Sequence, residues 1–129
     1  MPTATMKEIP RGEWASFFDV FGRTHEGWIV TLEILRPDIG AQIEVRGMHL
    51  GGLVLNAKPS TEQSVSILVG ETPATHVTHT VVKPRRVVLE TTESDAGDFE
   101  TLEIESEARE TALIRFHAGA VPEIGVDLY

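Results

Sequence analysis

The chain has 129 residues, of which 41% are hydrophobic and 24% are charged, and its formal net charge is −9. These averages predict one soluble globular domain with a single core. The chain contains no cysteine, which excludes disulfides, thiolate catalysis and cysteine-ligated zinc. No apolar run approaches the roughly 18 residues of a membrane span, and the N-terminus lacks a signal-peptide pattern, so we expect a cytoplasmic protein without membrane contact.

The negative charge is concentrated in one segment. Nine acidic residues lie between Glu90 and Glu110, opposed there only by Arg109. Such a surface repels nucleic acid and anionic membranes, so nucleic acid is not the expected partner. We interpret the segment as a solvated strand face.

One helix is predicted, over about residues 10–25. Trp14, Phe17, Phe18 and Phe21 follow the i, i+3, i+4, i+7 spacing, which places them on one buried face. Gly27 can adopt the left-handed conformation that ends such a helix.

Strands are predicted for the rest of the chain, in a β-region over about residues 28–117. Apolar residues alternate with polar ones from Trp28 onward, in six or seven segments. The glycines at 47, 51 and 52 interrupt one long segment and indicate a bulge or sharp bend. Residues 94–98 form a strong turn signal for a hairpin.

The predicted fold is mostly β (α+β), in a single domain over residues 1–129 with a C-terminal tail at 118–129. One N-terminal amphipathic helix packs on an antiparallel, strongly bent sheet. We expect this sheet to form a small barrel of the Sm or SH3 type, or a sandwich. A parallel sheet is not expected because crossover helices are missing.

Two resemblances accompany this layout. The order of helix and strands, with residues 79–84 in the fourth strand, is similar to the small barrel of Sm-like RNA-binding proteins, although the first conserved segment of those proteins is absent. A closer resemblance is carried by short blocks along nearly the whole chain: Ile9-Pro10-Arg11, Trp14, His25-Glu26-Gly27-Trp28, Asp38-Ile39-Gly40-Ala41-Gln42 and residues 76–81. These blocks resemble the bacterial domain of unknown function 5335, a resemblance that implies no activity, ligand or site residues.

Catalytic signatures are weak in this sequence. His76 and His79 are three residues apart on a strand, which places them on opposite faces and makes them a poor chelate. No serine stands in a nucleophile-elbow pattern, and Gly51-Gly52 lacks the lysine of a phosphate loop. We therefore predict no metal and no cofactor. An enzyme would need a site assembled from His25, His76, His79 and strand carboxylates.

One basic cluster, of Lys83, Arg85 and Arg86, surrounds Pro84. It has two interpretations. A charged, proline-interrupted edge would prevent strand-to-strand aggregation. Alternatively, the cluster would bind an anion or RNA phosphate, together with His79 and with Arg36 if the fold brings that turn alongside.

The functional prediction is a non-catalytic binding or interaction module. The alternatives are an Sm-like RNA-binding protein and a hydrolase or metal-dependent enzyme with a histidine and carboxylate site. The expected partner is another protein or a second copy of the chain.

Overall fold

A computed structural model describes residues 3–56, 63–70, 76–93 and 99–117 of the chain. The predicted tail at 118–129 and the predicted turn at 94–98 lie outside these residues. The described part contains one α-helix, a short 3-10 helix and eight strands, in this order: β1 Thr3–Glu8, the 3-10 helix Arg11–Glu13, α1 Trp14–Thr24, β2 Ile29–Arg36, β3 Gly40–Asn56, β4 Ser64–Gly70, β5 His76–Val82, β6 Pro84–Glu93, β7 Phe99–Ser106 and β8 Thr111–His117.

The eight strands form one antiparallel sheet in the order β1-β6-β7-β8-β2-β3-β4-β5. The mostly β, antiparallel prediction is therefore confirmed. The predicted barrel is wrong, because the sheet is not closed. In the described residues, β1 and β5 each pair on one side only and are its edges.

The N-terminus differs from the prediction, because strand β1 precedes the helix. Its side chains from Ala4 to Glu8 are exposed, so it lacks the apolar alternation by which strands are predicted. The helix begins at Trp14 rather than at Pro10, whose extended ψ of 145° leads into the 3-10 turn instead. Gly27 has a φ of +89°, as expected beyond the helix end.

Strand β3 is one bent strand with two sets of partners. Its first half pairs with β2 and its second half with β4. The β2–β3 register shifts between Val30 and Thr31, opposite Gly47, which has a φ of +69°. The β3–β4 register shifts between Leu50 and Gly52. The predicted bend at these glycines is confirmed, and such bulges bend the sheet around the core.

A sharp corner at Lys83 joins β5 directly to β6. Lys83 has a φ of +54°, its N–H donates to the carbonyl of Gln63 at 3.0 Å, and its own carbonyl accepts from the N–H of Glu107 at 2.9 Å. The chain thus passes from one edge of the sheet to the neighbour of the other edge. The sheet therefore curls strongly although it stays open.

The core lies inside this curled sheet, and α1 packs against β3. Trp14 and Phe18 are each 1% exposed, which confirms the predicted inward helix face. The indole N–H of Trp14 donates to the carbonyl of Ile9 at 2.9 Å. A Cβ added at Gly22 would lie 3.4 Å from the backbone N of Leu53, so this glycine permits the close approach of the helix to β3.

Candidate functional site

The end of α1 holds a buried histidine. His25 is 5% exposed, and its ring packs between Phe21, Trp28 and Phe116, with centroid distances of 3.9, 4.6 and 4.9 Å. Its Nδ1 lies 2.9 Å from the carbonyl oxygen of Phe21, and its Nε2 lies 2.6 Å from Oε1 of Glu100 on β7. Each ring nitrogen therefore lies within hydrogen-bonding distance of an oxygen atom.

A shallow groove of about 230 Å³ lies beside this histidine, between α1 and the strands β6 and β7. It is mostly apolar, and its lining residues are Phe17, Val20, Phe21, Thr24, His25, Leu89 and Glu100. Because both ring nitrogens of His25 already have partners, the ring stabilises the junction of helix and sheet and offers no free nitrogen to a ligand.

The structure divides the residues predicted to bind an anion into two groups: Lys83, Arg85 and Arg86 form one, and Arg36 and His79 form the other. Arg85 Nη2 lies 3.5 Å from Oε2 of Glu105, and Arg86 Nε lies 3.4 Å from Oε1 of Glu8. Lys83 lies at the corner between β5 and β6. These three cations therefore do not form one open patch, since each of the two arginines faces a carboxylate.

His79 and Arg36 are brought together by Glu110, which the sequence analysis assigned only to the acidic segment. Arg36 Nη2 lies 2.8 Å from Oε2 of Glu110, and His79 Nε2 lies 3.8 Å from the same oxygen. The Nε2 atom of His79 is buried and has no hydrogen-bond partner in the described part of the chain. Sequence spacing could not have indicated this group, because its members come from β2, β5 and the turn before β8.

The most distinctive surface is a part of the sheet without charged side chains. Residues 50–56 of β3, together with β4 and β5, contain no Asp, Glu, Lys or Arg, whereas every other described strand, and the first half of β3, carries at least one. We call these three adjacent segments the uncharged subsheet. Val54 and Val82, 45% and 51% exposed, present apolar surface on it.

Strand β5 is the outer strand of the uncharged subsheet, and among the described residues it pairs with β4 alone. The N–H of Lys83 donates to the carbonyl of Gln63, which precedes β4, so Lys83 directs its N–H toward the β4 side. In an antiparallel ladder the backbone groups of successive residues point alternately to the two sides of the strand. Thr78, Thr80 and Val82 therefore direct their backbone N–H and C=O groups away from β4. The side chains of these three residues are exposed in the described structure.

The histidines of the enzyme hypothesis have different surroundings. His25 pairs with Glu100, His79 lies near Glu110, and His76 is at the exposed start of β5. In the described ranges, no group of three or more His, Asp or Glu residues could hold a metal ion. Among the same residues, no helix is long and apolar enough to span a membrane.

The described ranges define an antiparallel β-domain with one α-helix and an uncharged subsheet whose outer strand, β5, pairs on one side only. The chain belongs to a family of unknown function, DUF5335, whose family model matches residues 5–122. The predicted resemblance to that family is thereby confirmed, whereas the resemblance to Sm-like proteins is not supported by any comparison. No curated protein and no solved structure matches the chain.

Proposed function

We propose that this protein is a non-catalytic interaction domain that binds a protein partner through the uncharged subsheet. The observation that carries the proposal is the separation of charge between neighbouring strands of one sheet. The uncharged subsheet, at the β5 end of the strand order, contains no acidic residue, whereas the remaining strands of the described sheet carry the acidic residues. Interfaces between proteins are depleted of charged residues at their centre, so the uncharged side is the one suited to contact.

The free edge of β5 adds directional hydrogen bonds to this surface. Natural edge strands are usually protected by charges, prolines or bulges. The other edge, β1, carries Lys7 and Glu8, whereas β5 has neither a charged residue nor a register shift against β4. An unprotected edge is the feature by which proteins add a strand from a partner.

RNA binding, the first alternative, has less support. Arg36, Arg85 and Arg86 each face a carboxylate, which reduces the positive charge available to phosphate oxygens. The enzyme alternative would need histidines that act on one substrate, and His25 and His79 have different carboxylate partners.

Site-specific photo-crosslinking in cells of the source organism tests the proposal. A benzophenone amino acid at Val82 probes the edge of the uncharged subsheet, and the same probe at Ile43 is the matched control, because these two side chains are 51% and 46% exposed. We expect a discrete adduct from position 82 that is absent at position 43 and that the Thr80→Lys substitution abolishes. The absence of an adduct at position 82, or equal adducts at both positions, would overturn the proposal.

A further inference from the structure

We propose that the partner of the β5 edge is a second copy of this chain, joined by antiparallel pairing of the two β5 strands about a twofold axis at His79. This inference rests on the proposed interaction function and names its partner. The two open sheets would then form one continuous sheet across the dimer.

The phase of the hydrogen-bond ladder fits this axis. A twofold axis at His79 places Thr78 opposite Thr80 of the partner copy, and both residues direct their backbone groups outward. Directly opposed residues with outward groups exchange two hydrogen bonds, and the pair repeats on the other side of the axis. A twofold axis at Thr78 or at Thr80 would also place residues with outward backbone groups opposite each other. The hydrogen-bond pattern alone therefore does not distinguish these axes, and the side chains decide between them.

The side-chain order of β5 selects His79. Around this residue the strand reads nearly the same in both directions, since Thr78 and Thr80 flank it and Val77 and Val81 follow on either side. Twofold pairing therefore opposes Thr78 of each copy to Thr80 of the other, and both side chains are exposed. Threonine pairs of this kind stabilise antiparallel sheets, and such self-complementarity is what a twofold interface requires.

Charge also favours a second copy. Two chains with a net charge of −9 repel each other when their acidic faces meet. The uncharged subsheet is the part of the described sheet through which they can approach without opposing like charges.

Crossed disulfide formation tests the pairing, because the chain contains no cysteine of its own. The Thr78→Cys and Thr80→Cys variants, carrying different mass tags, are mixed in equal amounts and oxidised mildly. Opposed residues have Cα atoms about 5.5 Å apart, within disulfide range, whereas copies of the same residue are displaced by two positions along the strand. We expect the crossed dimer to exceed each same-variant dimer by far more than the twofold ratio of random pairing.

The matched control uses Ala4→Cys and Met6→Cys, which have the same spacing on the exposed edge β1 and should give at most random pairing. Random pairing of the β5 variants, or sedimentation of the unmodified chain as a monomer at its highest soluble concentration, would overturn the dimer. If the dimer is overturned in this way, a photo-adduct from position 82 with a different protein would still support the interaction function. The absence of any adduct from position 82 would overturn the interaction function as well as the dimer.

Discussion

Nε2 of His25 lies 2.6 Å from Oε1 of Glu100, and this bond joins residues 75 positions apart. It connects the end of α1 to β7. Replacing Glu100 by leucine leaves a buried ring nitrogen without a partner, so we expect the free energy of unfolding to fall by about 1 to 3 kcal/mol. The value should lie toward the low end, because the Glu100 side chain is 28% exposed and solvent weakens such a pair.

The Glu100→Gln variant distinguishes hydrogen bonding from charge. Its amide can donate to a ring nitrogen that carries no hydrogen, so it should lose less stability than the leucine variant. The control is Glu103→Leu on the same strand, since Glu103 has no polar partner among the described residues. Urea denaturation measures all three variants, and equal losses at positions 100 and 103 would contradict the structural role of the pair.

The aromatic face of α1 supports the core, which predicts a large cost for Phe18→Ala. Phe18 is 1% exposed, and its truncation should lower the free energy of unfolding by about 3 to 5 kcal/mol. Val20 on the same helix is 56% exposed, so Val20→Ala should change it by less than about 0.5 kcal/mol. Denaturant melts of both variants check this, and a loss near zero for Phe18→Ala would refute the burial.

Charge placement on β5 provides an independent prediction for the dimer. In the Thr78→Lys, Thr80→Lys double variant, each lysine would oppose a lysine of the partner copy, and dimerisation should be lost. In Thr78→Glu, Thr80→Lys, opposite charges would face each other and the dimer should persist. Sedimentation equilibrium compares the two variants, and the same assembly state for both would show that these residues are not opposed.

The serine at the end of β7 holds the turn that carries Glu110. Ser106 is 2% exposed, and its Oγ accepts hydrogen bonds from the N–H groups of Ala108 and Glu110, both at 3.2 Å. We expect Ser106→Ala to cost about 1 to 3 kcal/mol in a thermal or denaturant melt. Ser66→Ala is the control, because its exposed hydroxyl makes only a 3.4 Å contact with Thr80, and a similar loss for both would contradict the role of the turn.

The pairing of the basic residues predicts weak RNA binding. Three phosphate contacts give a salt slope of only about −2 on single-stranded RNA, so fluorescence anisotropy should show little or no binding at moderate salt. If binding does appear, the Arg85→Ala, Arg86→Ala double variant should abolish it. Full affinity in that variant would show that the contacts lie elsewhere.

The helix and most strands were predictable because their signals are local. The spacing of Trp14, Phe18 and Phe21 reports a helix whose one face must be buried, and the alternation in β2 or β4 reports strands with one inward face. The glycines of β3 likewise indicated its bend, since bulges need residues with unusual backbone freedom. Strand β1 escaped prediction because an edge strand with exposed side chains carries no such pattern.

The candidate surface depends both on the local sequence and on the tertiary structure. The sequence by itself determined which segments lack charge and that β5 reads nearly the same in both directions about His79. Only the tertiary structure decided that these segments are adjacent, that β5 pairs on one side only within the described part of the chain, and that Arg36 and His79 meet at Glu110. These relationships depend on strand order and on the curvature of the sheet, which are set by packing between residues far apart in the chain, whereas periodicity reports only which side of each segment is buried.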